Sequence, residues 1–147
     1  MIAPIALIQA VVDGMQARGF GRIVNITSGS VKAPLAGLDL SSGARAGLTG
    51  FVAGVARSLA AANVTINNLL PGAFDTDRIA ALIDDQARRT DRDPAELRRL
   101  REQSIPAGRF GDPAQFGAAC AFLCSAQAGY ITGQSILIDG GAFPGIM

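Results

Sequence analysis

RIVNITS, residues Arg22–Ser28, is a short run of mostly β-branched side chains ending on two hydroxyls, with a glycine-bearing loop after it. A run of this length and composition reads as a buried strand. VTINNLL (Val64–Leu70), closed by Pro71-Gly72, reads the same way. SILID (Ser135–Asp139), ended by Gly140-Gly141, gives a third strand. Residues 41–62 lie between the first two strands and carry Leu48, Val52, Val55 and Leu59 at helical spacing. Strands separated by helices argue a parallel sheet with right-handed crossovers, an α/β fold.

Working outward, residues 2–18 place Ile5, Ile8, Val12 and Met15 on one helical face, and Gly19 and Gly21 end that helix. The 41–62 helix is rich in small residues (Gly43, Ala44, Ala46, Gly47, Gly50, Ala53, Gly54). Glycines weaken a helix, so these faces make sense wedged against a sheet or a second copy. Between Asp75 and Glu102 the chain carries 15 of its 25 charged residues. That density reads as a solvated helical excursion, residues 75–107, outside the core, with Arg88, Arg89, Arg92, Arg98, Arg99 and Arg101 interleaved with acids on its outer faces. Asp112-Pro113 opens another helix, with Phe116, Cys120 and Leu123 inward. Three parallel strands make a thin sheet with two edges, which by itself calls for upstream residues or a partner chain.

The 147 residues form one domain, and 49% hydrophobic content with 17% charge allows a sizeable core. A net charge of +1 gives no reason to expect nucleic acid or an anionic membrane as partner. The chain has no His, and Cys120 and Cys124 sit on neighbouring turns of one helix. They make neither a zinc set nor a good disulfide, so they read as core residues in a reducing compartment. The apolar start lacks a basic segment and soon meets Gln9 and Asp13, so it is neither a signal peptide nor a membrane span. A cytoplasmic location is the expectation.

Five segments, in order, resemble the short-chain dehydrogenase/reductase family and within it the 3-oxoacyl-ACP-reductase-like members. Gly21–Ser28 is similar to the strand that ends in the catalytic serine. Ser41–Leu48 (SSGARAGL) is similar to the start of the tyrosine-lysine helix. Asn67–Thr76 (NNLLPGAFDT) resembles the strand and Pro-Gly turn beside nicotinamide. Gly108–Pro113 (GRFGDP) resembles the entry to the next helix, and Tyr130–Gln134 with Ile138–Gly141 the closing strand. The resemblance covers essentially the whole chain. It implies a truncated Rossmann-like α/β/α arrangement holding only the C-terminal strands of the family's parallel sheet. It also implies NAD or NADP as cofactor of a full-length form, with no cofactor in this chain as the alternative. Its implied substrate is a small carbonyl or alcohol, and its implied assembly a homo-oligomer paired through helices 1–18 and 41–62.

Carried over residue by residue, Ser28 takes the substrate-oxygen position, while Pro71, Gly72, Phe74 and Thr76 frame the cofactor. Ser41 stands at the tyrosine position and Arg45 at the lysine position. A serine hydroxyl is far less acidic than a phenol, and a guanidinium stays charged where an ammonium can relay protons. Each residue also has a purely structural reading. Ser28 could satisfy a strand-end backbone group, Ser41 could cap the helix, and Arg45 could make a salt bridge or capping contact rather than hold a ribose. Pro71, Gly72 and Thr76 could form a turn and an N-cap. Asp39 is the nearby carboxylate that could stand in as acid or base, whereas Tyr130 and Lys32 lie elsewhere in the sequence. Gly14, Gly19 and Gly21 do not follow a strand, so the family's pyrophosphate turn has no counterpart. Counting back from Ser28 puts the family's helix asparagine just before Met1, so the resemblance implies a start inside a longer ancestor. Activity is therefore expected to be impaired, and a non-catalytic module that pairs with itself or with a full-length relative is the alternative.

Overall fold

The computed structural model describes residues 1–146. Its order is α1 (Ile2–Ala17), β1 (Gly21–Ile26), α2 (Asp39–Leu59), β2 (Val64–Pro71), α3 (Asp77–Thr90), α4 (Pro94–Gln103), α5 (Pro113–Cys124) and β3 (Ser135–Ile138). The three strands form one parallel sheet in the order β1-β2-β3, with Ile23 opposite Ile66 and Leu70 opposite Leu137. The α/β class and all three expected strands are present. The first ends at Ile26, leaving Thr27 and Ser28 on the way out of the sheet, and the third ends at Ile138, before Asp139.

Strand β2 is central, and Val64 to Leu70 are all buried. Its alternating side chains supply two cores, as a strand covered on both faces requires. On one face Ile23 and Ile66 pack with Ile8 of α1 and Leu48, Val52 and Ala56 of α2. On the other, Val24, Leu69, Ile136 and Ile138 pack with Phe116, Cys120 and Leu123 of α5. In α2 Leu48, Val52 and Leu59 are buried as expected, but the fourth buried position is Ala56, with Val55 only half-buried, so the apolar stripe is turned slightly from the one expected. The small-residue faces also divide. Gly47 lies against Met1, whereas Gly43, Gly50 and Gly54 look onto open space.

The charged excursion, read as solvated and outside the core, has a small apolar cluster of its own. Ile83 and Ala87 of α3, Leu97 of α4, Ile105 and Phe110 are buried together, with Ala73 and Ile79 against them. Several of its arginines pair with its own acids, through Arg89–Asp85 at 2.6 Å, Arg92–Glu96 at 2.7 Å and Arg98–Glu102 at 3.1 Å. Arg98 also ties the helix pair to the end of the β2 loop through Asp75, at 2.6 Å. That hydrogen bond raises the Arg98 pKa above its ordinary value. Asp93 caps α4 through Ala95 N and Asp112 caps α5 through Ala114 N, each followed by proline in the first turn.

Among the described residues no helix is long and apolar enough to cross a membrane. Leu69→Ala is expected to cost about 2–5 kcal/mol in urea unfolding, because the side chain is fully enclosed between β2 and α5. Leu40→Ala, on the exposed first turn of α2, should stay within about 0.5 kcal/mol.

Candidate functional site

At the carboxyl ends of the strands lies a groove of about 610 Å³. Seven residues singled out from sequence line it: Ser28, Ser41, Arg45, Pro71, Gly72, Phe74 and Thr76. They come from the exit of β1, the first two turns of α2, and the exit of β2. A smaller hollow of about 80 Å³ behind Phe74 shares Asp139 with it.

Ser28 N-caps the short turn Gly29–Val31, and its Oγ accepts the Ser30 N–H at 3.1 Å. A hydroxyl that accepts still has its proton to donate, so the backbone contact leaves Ser28 able to reach a ligand oxygen. Next to it, the Thr27 hydroxyl oxygen is buried and makes no hydrogen bond among the described residues.

Ser41 is not the N-cap. The helix begins two residues earlier, at Asp39, with Leu38 in the cap position, and the Ser42 N–H already donates to Leu38 O at 2.7 Å. Ser41 instead receives Arg45. Nη1 of the guanidinium donates to both the Ser41 hydroxyl and the Ser41 carbonyl, at 3.3 Å for the latter. Residues four apart on a helix share a face, which puts this contact within reach. Asp39 starts the helix but does not line the groove, nor do Lys32 and Tyr130.

Gly72 has a packing reason that its sequence context did not show. A Cβ there would lie 2.6 Å from Asp139 Cα, because Gly72 N–H donates to Ile138 O at 2.9 Å and draws the β2 exit onto the β3 exit. The Asp139 carboxylate holds the tail, accepting Gly141 N–H and Phe143 N–H, both at 2.9 Å. Gly140 and Gly141 both have positive φ, of 66° and 84°, which glycine adopts without strain. The tail turns back so that Ala142, Phe143 and Pro144 form one wall of the groove. Sequence reasoning missed this wall; the apolar AFP after the double glycine was its only signal.

Phe74 is fixed by a parallel bridge to Gly111 and an edge-on contact with Phe116, centroids 5.2 Å apart. The bridge uses Asp75 N–H and Gly111 N–H, while the Phe74 N–H makes no hydrogen bond among the described residues. Thr76 stands at the N-cap of α3 without a side-chain capping bond, its hydroxyl only 3.4 Å from Phe74 O. An unpaired backbone donor, a hydroxyl oxygen that can still accept and a helix start without a side-chain cap therefore lie at the groove, an arrangement suited to a carboxamide. Arg78, Ile79 and Leu82 of α3 complete this side, with Leu35, Leu38 and Leu137 opposite. Gly14, Gly19 and Gly21 lie in α1, in the α1–β1 turn and at the start of β1, the end of the strand away from Ser28. Among the described residues no group of three or more His, Cys, Asp or Glu could hold a metal. Burial pushes the Cys120 thiol up, with Cys124 beside it adding to the shift, which disfavours the reactive thiolate.

A parallel sheet with its groove at the strand ends, floored by a Pro-Gly turn and flanked by a strand-end serine, defines a Rossmann-like α/β arrangement. Residues 1–142 match the family described as Enoyl-(Acyl carrier protein) reductase. The chain is 38% identical over 137 residues to the 3-oxoacyl-[acyl-carrier-protein] reductase FabG of Vibrio harveyi, covering 92% of itself and 51% of that protein. It is 36% identical over 131 residues to the acetoacetyl-CoA reductase of Allochromatium vinosum, covering 89% of itself and 49% of that protein. Among solved structures, the NADPH-dependent reductase YwfH, involved in bacilysin biosynthesis, superposes with a TM-score of 0.90 at 32% identity, over 99% of this chain and 56% of YwfH. The chain belongs to the short-chain dehydrogenase/reductase family. It spans about half the length of the relatives it matches.

Gly72→Ala is expected to cost about 1–3 kcal/mol in urea unfolding and to speed amide exchange at Gly141 and Phe143, since the new Cβ must displace Asp139. Unchanged stability and exchange would show that the two strand exits are not tightly joined.

Proposed function

We propose that the groove is the substrate and nicotinamide corner of an NAD(P)-dependent oxidoreductase that interconverts a carbonyl and an alcohol, working below the family's usual rate. The observation that carries this is the convergence of seven residues from separate segments on one groove. The reductases above include an NADPH-dependent one, which supports the same cofactor class here. The nicotinamide end fits the residues present, because the Phe74 N–H makes no hydrogen bond among the described residues and the Thr76 hydroxyl oxygen, which donates to Phe74 O at 3.4 Å, can still accept from a carboxamide N–H over the Pro71-Gly72 floor. Gly14, Gly19 and Gly21 do not form a pyrophosphate cradle for this groove, since they lie in α1, in the α1–β1 turn and at the far end of β1.

The cofactor, when bound, supplies or takes up the hydride. The remaining work falls to side chains of this chain. Ser28 donates its hydroxyl proton as a hydrogen bond to the substrate oxygen, polarising the carbonyl. The positive charge of Arg45 stabilises negative charge growing on that oxygen. Ser41, held by Arg45, is too weak an acid to deliver the proton, so water delivers it. Loss of a positioned phenolic acid costs about 10²–10⁴-fold in rate.

A second reading has its own support. Gly43, Gly50 and Gly54 of α2 look onto open space, and Ile2 and Leu7 of α1 are 78% and 68% exposed. In that reading the chain is a cofactor-free module that pairs through these helices with itself or a full-length relative.

NADPH and NADH titrated into the purified chain, followed by cofactor fluorescence, separate the two. Saturable binding is expected for the oxidoreductase, and its absence at millimolar cofactor leaves the pairing module. In protein that binds cofactor, Ser41→Tyr with Arg45→Lys should raise carbonyl reduction by about 10² or more. No gain would mean that the pocket has diverged beyond these two positions.

A further inference from the structure

The groove carries more positive charge than negative. Its two guanidinium groups are Arg45 and Arg78, and its only carboxylate is Asp139. Both oxygens of Asp139 are already occupied by backbone N–H groups at 2.9 Å. Asp75, next to the groove, pairs with Arg98. The ion pairs among the described residues involve neither Arg45 nor Arg78. Arg45 is partly spent on Ser41, but Arg78 makes no side-chain hydrogen bond among the described residues. It stands in the first turn of α3, whose uncapped N-terminus adds partial positive charge to the same wall. Ile79 and Leu82 of the same helix line the groove, as does the apolar tail residue Phe143.

A cation without a counter-charge, set in an otherwise apolar wall, selects a ligand that brings the missing charge on a hydrocarbon body. We propose that Arg78 is a specificity-determining residue that binds the carboxylate of the substrate, so that the substrate class is an oxo acid or hydroxy acid with an apolar chain. The ketone or alcohol carbon lies toward Ser28, the chain runs against Ile79, Leu82 and Phe143, and the carboxylate meets the Arg78 fork. An uncharged ketone of the same length leaves the guanidinium unpaired and loses that contact. This assignment rests on the proposed function only in taking the groove as the substrate site.

The test needs no cofactor. 4-Oxooctanoate and its methyl ester, which share the ketone and the chain but differ in charge, are titrated into the isotope-labelled chain and followed by amide NMR shifts. The acid is expected to bind about tenfold or more tightly than the ester, with shifts centred on residues 76–82 and Phe143. Arg78→Met, which keeps the stem and removes the charge, should bring acid and ester to parity. Arg78→Lys should keep most of the preference, and Arg89→Met, on the outer side of α3, should leave it unchanged. Equal binding of acid and ester to the unaltered chain overturns the proposal, as does binding of neither, or a preference that survives Arg78→Met. Nicotinamide mononucleotide is the competing anion. If Arg78→Met weakens the mononucleotide and leaves the acid untouched, the guanidinium serves a cofactor phosphate and the assignment fails. Any of these failures leaves the oxidoreductase reading standing, because that reading is judged by NADPH binding and turnover.

Discussion

The burial of β2 is the constraint on which the other parts depend. A central parallel strand is covered by helices on both faces, so any polar side chain on it must find its partners inside the protein. This strand carries two adjacent asparagines, and both are fully buried. Asn68 accepts from Asn25 at 3.2 Å and donates to Ser135 at 3.1 Å, a rung of side-chain bonds across all three strands. Asn67, on the opposite face, donates to Ile131 O at 2.8 Å and accepts from Gln134 N–H at 3.0 Å, clamping the connection that leads into β3. Leaving a buried amide unpaired costs about 1–3 kcal/mol, so these contacts hold the register of both neighbours. The register in turn sets where the strands end, and the ends are the groove.

From that register follows the crowding at the groove floor. Gly72 can approach Asp139 only because it has no side chain, and Asp139 is then placed to bend the tail through two backbone N–H groups. The tail becomes a wall, and α3 becomes the facing wall because Asp75 is paired to Arg98 and the excursion has its own apolar centre. The groove is thus built by strand exits and by two segments that leave them, and rigidity in the sheet is passed to the site by short hydrogen-bonded turns.

The fold was largely readable because its signals are local. The β-branched runs, the Pro-Gly and Gly-Gly stops, and the Asp-Pro helix starts at Asp93 and Asp112 each act within a few residues. The seven groove residues were also readable, since each lies on or just after a strand end or in the first turns of α2. What could not be read depends on contacts between distant segments. The need for glycine at position 72 is set by a residue 67 positions later. The core under the charged excursion was hidden by charge density, because Ile83, Ala87 and Leu97 lie on the inner faces of helices whose outer faces carry the arginines. Ser41 was misread as a cap because hydroxyl residues favour that position, while the helix found its start at Asp39, with no side-chain cap at all.

Ser41 and Arg45 are better understood as one change than as two. A tyrosine at position 41 would carry its hydroxyl a full ring beyond the helix surface, into the groove, where a nearby ammonium could lower its pKa. A serine keeps its hydroxyl against the backbone. A cation four residues on then finds its nearest acceptors in that hydroxyl and the carbonyl behind it, and Arg45 takes both. The pair is tied together on the helix, and the acid that a phenol would present to the ligand is missing. Restoring the phenol alone would leave a guanidinium that cannot shed its proton, and restoring the ammonium alone would leave it no acid to tune. The two positions are coupled through one helical turn, so their effects on chemistry must be non-additive even though neither moves the backbone that holds Ser28 and Gly72.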